Sequence, residues 1–156
     1  MPRQARLILD NVCYHIITRG NQKNIIFRDE NDYKTYLKLV SRYKEKYKFK
    51  IYGWCLMNNH VHMVMQSEYL SKAMHGLNLS YAQYFRYRYK SVGHFWQDRY
   101  KSYIIQKDEY LINCISYVEY NPVRAKISLR PEDYCWSSYR ARILGKKNML
   151  LDELVL

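Results

Sequence analysis

His60-Val61-His62 is the first place in this 156-residue sequence where residue types and spacing could do chemistry. Side chains on a strand alternate faces, so both imidazoles share one face while Val61 takes the other. Two neighbouring imidazoles can hold a divalent metal, with further ligands supplied from elsewhere. Two partly exposed strand histidines are the plain alternative, and 5 histidines in the chain produce such a pair by chance in about one sequence in six. The second candidate lies between Asp108 and Asn121, where Leu111, Ile115 and Val118 form an apolar stripe at helical spacing. Tyr117 points roughly 140° away from that stripe, and Asn121 lies one turn further on beside it. A phenol so placed can serve as a nucleophile or be an ordinary surface tyrosine. Tyr110 points within about 20° of the same direction, and spacing does not choose between the two.

The chain carries 26 Lys plus Arg against 14 Asp plus Glu, a formal net charge of +12. Such a surplus suits a polyanionic partner. Rings are interleaved with cations from Tyr84 to Lys90 and again from Phe95 to Lys101. Rings stack on unpaired bases while cations hold phosphates, the usual grip on a single strand. The alternative is a basic surface whose tyrosines pack inward. Arg19, Arg86, Arg88, Trp96, Arg99, Lys101 and Arg124 are therefore candidate DNA contacts. Gln97 joins them as a DNA contact, a support for a metal shell, or a solvated loop residue. Apolar residues at 48% can fill a core, and only 5 Gly and 3 Pro argue against a disordered chain. The length suits one compact domain over residues 1–156. No apolar run approaches the roughly 18 residues of a membrane span, and the first ten residues lack a secretory apolar core. Cys13, Cys55, Cys114 and Cys135 form no CxxC pair, which argues against a disulfide framework or zinc ribbon. A basic intracellular protein without a membrane partner is expected.

The elements that must position the candidates follow from patterning. Residues 12–18 read as a strand, Asp29 to Tyr47 as a helix capped by Asp29, and Lys48 to Met57 as a second strand. Asn58-Asn59 turns the chain into a third strand, His60 to Gln66. A second helix capped by Ser71 reaches about Lys90, a fourth strand runs from Arg99 to Ile105, and a third helix starts at Asp108. Pro122 ends that helix near Asn121. Strand, helix, strand, strand, helix, strand is the order of an α+β, ferredoxin-like split βαβ sheet with helices on one face. The helix carrying Tyr117 is then an addition, followed from residue 124 to 156 by a basic tail with short helical potential. His15, on the first strand, neighbours the third strand in this topology. It is a histidine bonded to the backbone, or a support for His60 and His62.

The motif Asn58-Asn59-His60-Val61-His62-Met63-Val64 resembles the histidine–hydrophobic–histidine motif of the IS200-like tyrosine (HUH, Y1) transposases. Residues Tyr117-Val118-Glu119-Tyr120-Asn121-Pro122-Val123-Arg124-Ala125 resemble the nucleophile helix of one branch, the REP-associated tyrosine transposases. Further matches at 15–21, 93–102 and 131–139 appear in the family's order and extend the resemblance over roughly 12–145. The resemblance implies that His60 and His62 bind Mg²⁺ or Mn²⁺, with Asn121 at the position where IS200 enzymes place a glutamine ligand. Asn is one methylene shorter. It also implies that Tyr117 attacks a phosphate of single-stranded or hairpin DNA, leaving a 5′-phosphotyrosine and a free 3′-OH, in the cytoplasm at the nucleoid. Glu119 points away from Tyr117 and receives no catalytic role. Arg124, Lys126, Arg130, Arg140, Arg142, Lys146 and Lys147 make the tail basic enough to clamp a DNA stem or to keep it solvated. A host-adopted hairpin-binding protein of the same fold that no longer cuts is the second reading. An RNA-binding ferredoxin-like domain is the third, disfavoured because the central strands carry His60 and His62 rather than stacking rings. Monomer and homodimer both remain open.

Overall fold

The computed structural model describes residues 12–154 except 107, 147 and 149. Its strands are β1 (Cys13–Arg19), β2 (Lys50–Leu56), β3 (His60–Gln66) and β4 (Lys101–Ile105). They form one sheet in the order β2-β3-β1-β4 with every neighbouring pair antiparallel. Helices α1 (Glu30–Tyr47) and α2 (Leu70–Tyr89) connect the strands, which is the expected ferredoxin-like arrangement. Alternation along β1 sends Tyr14 and Ile16 into a core with Tyr36 and Val40 of α1 and Met74, Leu77 and Tyr81 of α2. His15 and Ile17 take the opposite face.

Asp29 caps α1 as expected, accepting from the Asp32 N–H at 3.1 Å. The expected cap of α2 is different. Leu70, 1% exposed, is drawn into the core and opens the helix, so Ser71 lies inside the first turn and its hydroxyl meets that of Tyr100 at 3.2 Å. Buried Asp32 joins the two helices. It accepts from the Arg28 N–H and from Tyr84, Tyr89 and Arg88 at 2.6–2.8 Å. Arg88 also meets Asp29 through two bonds. The guanidinium of Arg88, a candidate DNA contact, is thus held within the fold by two carboxylates.

Helix α3 (Asp108–Glu119) covers the other face of β2 and β3, with Ile115 and Val118 fully buried among Tyr52, Cys55, Met57 and Val64. The approach is close. A Cβ on Gly53, beside a register shift in β2, would lie 2.9 Å from Ile115 Cγ2. Helix α3 ends at Glu119, two residues earlier than expected, and Pro122 enters the first turn of the short α4 (Asn121–Arg124).

The C-terminal segment, expected as a basic tail with short helical potential, packs on the sheet. It returns to the outer edge of β2, where the Leu56 N–H donates to Trp136 O and the Ser138 N–H donates to Trp54 O. The Asp152 carboxylate takes the Ile51 N–H and the Lys44 ammonium. Helix α5 (Tyr139–Leu144) supplies Arg142, which pairs with Glu119, a residue 0% exposed that also accepts from the Ser138 hydroxyl. Arg140 donates to Glu132 O, and Arg130 pairs with Glu132 and Asp133. These tail cations are spent within the fold; Lys147 lies outside the described residues.

Two stability measurements follow. Replacing Gly53 with Ala forces a stiff β-branched neighbour to move, and should lower unfolding free energy in urea by about 1–3 kcal/mol. Replacing Glu119 with Ala leaves Arg142 without its partner; a loss of about 2–3 kcal/mol is expected, below that of a fully buried pair because the Arg142 side chain is 25% exposed.

Candidate active site

β1 and β3 place their histidines on the face that α3 only partly covers. The register sets Arg19 opposite His60 and Ile17 opposite His62. The His60 and His62 rings lie 4.9 Å apart, edge to face. His15, expected either to bond the backbone or to support the pair, has its Nε2 2.9 Å from His62 Nδ1. Tyr117 stands edge-on to His15 with ring centroids 6.3 Å apart. Exposure does not separate Tyr117 from Tyr110, at 53% and 56%. Position does: of the two, Tyr117 is the one whose ring stands beside His15.

Hydrogen bonding decides which ring nitrogens remain available. An amide oxygen only accepts, so the 2.7 Å contact of His60 Nδ1 with Asn59 Oδ1 places the proton on Nδ1 and leaves a lone pair on Nε2. One proton lies between His15 Nε2 and His62 Nδ1. When it sits on His62 Nδ1, the His62 Nε2 is likewise free. Burial, and then the positive charge of Arg19, lower the pKa of His60 to about 4. Burial chiefly, with His60, His15, Arg19 and Arg124 contributing, lowers that of His62 to about 2. Burial also lowers that of His15. All three rings are therefore neutral at pH 7. A pair of neutral imidazoles with Nε2 lone pairs fits a divalent cation. Among the described residues no group of three or more His, Cys, Asp or Glu is arranged around an ion. Oxygen donors from an amide, water or phosphate would complete the shell.

The break after α3 brings a cation to the tyrosine. The Arg124 guanidinium donates to the Tyr117 carbonyl at 2.6 Å and lies 3.7 Å from the centroid of its ring. Asn121 opens α4 half-buried, its carbonyl accepting from the Ala125 N–H at 3.0 Å. No contact among the described residues ties its side chain to the histidines. Arg19 is exposed on β1 opposite His60, and Lys101 is exposed on β4 opposite Ile17. The other candidate DNA contacts lie in the loop before β4, where the Gln97 N–H donates to Arg19 O at 2.9 Å, and at the end of α2. Trp96 packs against Tyr81 and Phe95 and donates its indole N–H to Asn78 O. Arg86 donates to Gly93 O, and Gln97 and Arg99 are exposed in the loop before β4.

Patterning missed two neighbours of the site. Asn59 reads as a turn residue, yet its side chain fixes the His60 proton. Tyr103, 53% exposed, sits opposite His15 with ring centroids 6.2 Å apart. Only the β1–β4 register could have disclosed it.

Among the described residues no helix is long and apolar enough to cross a membrane. None of the curated proteins matches this chain. Its fold is similar to that of a REP-associated tyrosine transposase bound to a REP hairpin, with TM-score 0.77, 13% identity and complete coverage of both chains. It is also similar to a putative transposase from Deinococcus radiodurans R1, with TM-score 0.52 and 13% identity over 76% of this chain and 96% of that one. The family model for IS200-like transposases matches residues 8–121, the stretch holding the His pair, Tyr117 and Asn121. The chain belongs to the IS200-like transposase family.

Proposed function

We propose that this chain is a metal-dependent enzyme that nicks and rejoins single-stranded DNA through Tyr117, on an imperfect hairpin of the REP type with adjoining single strand. The observation that carries the reading is the meeting of a half-exposed phenol with His15 and two neutral imidazoles on one face of the sheet. The likeness in fold to a protein bound to a REP hairpin supports the substrate class.

Tyr117 Oη forms a bond to the scissile phosphorus as the bond from phosphorus to the 3′ oxygen breaks. The phenolic proton passes to solvent, and the 3′ oxygen takes up a proton to leave as 3′-OH. The 5′-phosphotyrosine conserves the bond energy, so a 3′-OH can reverse the step without ATP. A phenol with a pKa of about 10 is a weak nucleophile at neutral pH and needs help. Arg124, stacked on the Tyr117 ring, favours negative charge on that ring as it develops. His60 and His62 would hold Mg²⁺ or Mn²⁺ through Nε2, with Asn121 contributing its amide oxygen. A bound ion polarises the phosphoryl oxygens and neutralises charge in the transition state. His15 keeps the His62 ring in one orientation, and Arg19 and Lys101 attract the flanking phosphates.

Tyr117→Phe should abolish the covalent adduct with a 3′-labelled hairpin oligonucleotide in Mn²⁺, read on a denaturing gel. Binding should stay within about twofold, since the hydroxyl is one contact beside many phosphate contacts. Tight binding by the unaltered protein with no adduct on any flanking sequence would instead favour a hairpin-binding protein that does not cut. The second prediction concerns pH. Unfolded histidines take up protons below about pH 6.5, whereas folded His60 does so only near pH 4. Folding stability from the neutral pair is therefore present above about pH 6.5 and is lost as pH falls toward 4. Mn²⁺ affinity, measured by calorimetry, should stay nearly level down to about pH 5 and then drop. A fall centred near 6.5 would mean exposed, ordinary imidazoles.

A further inference from the structure

Part of the positive charge gathers at the end of the sheet away from His60. His60 and Gln66 are the two ends of β3, about 20 Å apart at the usual rise of a strand. Beside Gln66, a cavity of about 600 Å³ opens between the end of α1, the start of β2 and the start of α2. That volume is within the range of roughly 300–1,000 Å³ usual for small-ligand sites. Lys46, Lys48, Lys50 and Lys72 line it, all exposed. Among the described residues none of the four pairs with a carboxylate. Lys44, two residues before Lys46, is by contrast taken by Asp152 at 2.7 Å. Like charges gathered at one hollow repel, and an anion entering it relieves the repulsion.

The rest of the lining also donates. Gln66 Oε1 already accepts from the Tyr52 hydroxyl at 3.0 Å, which leaves its amide N–H groups for a ligand. The Ser67 hydroxyl accepts from the Tyr69 N–H at 3.1 Å and keeps its own proton to donate. Among the residues that line the cavity, Glu68 alone carries a carboxylate. Such a set of donors fits a ligand whose oxygens only accept, and lysine ammonium groups are point charges suited to phosphate. Two rings supply the apolar part. Tyr47 and Tyr69 stand with centroids 6.2 Å apart, and Lys46 and Lys72 lie over them at 5.3 and 6.0 Å. Tyr69 is 50% exposed, so part of its ring is open to a base.

We propose that this cavity binds a nucleoside triphosphate, with its phosphates among the four lysines and its base on Tyr69. The lysines come from α1, the turn after it, β2 and α2, and line one hollow. A compact run of linked phosphates meets them together, whereas a DNA backbone, with phosphates spread along a strand, reaches only some of them. The site is separate from the histidine face and does not depend on the DNA-nicking reading.

The test uses the full chain with EDTA present, so that a nucleotide cannot act through a metal at the histidines. ATP, AMP and inorganic tripolyphosphate are titrated by calorimetry at fixed ionic strength. ATP should bind with one-to-one stoichiometry, and AMP at least about tenfold more weakly. Lys48→Gln and Lys72→Gln should each weaken ATP and tripolyphosphate alike, by about three- to tenfold. Tyr69→Ala should weaken ATP by about tenfold and leave tripolyphosphate unchanged, because only ATP has a base to stack. Lys38→Gln removes the same charge from an exposed position outside the cavity and should change neither. All four side chains are exposed, and the thermal midpoint of each free variant checks that it folds. The proposal is overturned if Lys38→Gln costs as much as Lys48→Gln, since affinity would then follow net charge alone. It is overturned as well if ATP does not saturate, or if a hairpin oligonucleotide displaces ATP, which would make the hollow part of a DNA track. Adduct formation in Mn²⁺ is read separately and bears on the DNA-nicking reading alone.

Discussion

The Glu119 carboxylate is fully buried and accepts from Ser138 and Arg142, so the last turn of the helix carrying Tyr117 is bound to the segment that edges β2. The two attachments reinforce one another. The C-terminal segment supplies the partners that make a buried carboxylate tolerable, and the carboxylate keeps that segment against Trp54 and Leu56. One turn earlier on the same side of α3, Ile115 rests against the bare Cα of Gly53. The position of Tyr117 over His15 follows from these two constraints, since neither residue has a long enough side chain to compensate for a displaced helix.

Partial cover by α3 also sets the chemistry of the face. The helix shields β2 and β3, which removes water from His62 and holds it neutral. It leaves the β1 and β4 side open, where Tyr103 and Tyr117 stay about half exposed. One element therefore produces both a desolvated pair of imidazoles and a half-exposed phenol. Burial of the imidazoles has a thermodynamic counterpart in acid sensitivity, the usual consequence of groups that must stay uncharged in the folded state.

The large positive charge is divided between structure and surface. Arg88 serves Asp29 and Asp32, Arg142 serves Glu119, and Lys44 serves Asp152. Arg19, Lys101 and Arg124 are among the cations that remain exposed. Net charge alone could not distinguish these groups, because a paired arginine and a free one contribute equally to it.

Periodicity was enough to find the strands, the two connecting helices and the apolar stripe of α3, because these depend on local alternation and on short-range capping. The shared face of His60 and His62 was legible for the same reason, as was the placement of Tyr117 away from the core. Family resemblance, not spacing, preferred Tyr117 to Tyr110. Most of what patterning did not reach involves partners distant in sequence. Arg88 looked like a free cation until α1 brought Asp29 and Asp32 to it. Ser71 looked like a cap until burial of Leu70 moved the helix start. The pairing of the basic tail with β2, and the contact of His15 with His62, appear only once strands far apart in sequence are in register. The sequence alone determined which residues could do the chemistry, since side-chain type and face are local properties. Which of them meet, and which cations remain for a substrate, was decided by packing across the sheet, where contacts between residues tens of positions apart select one arrangement.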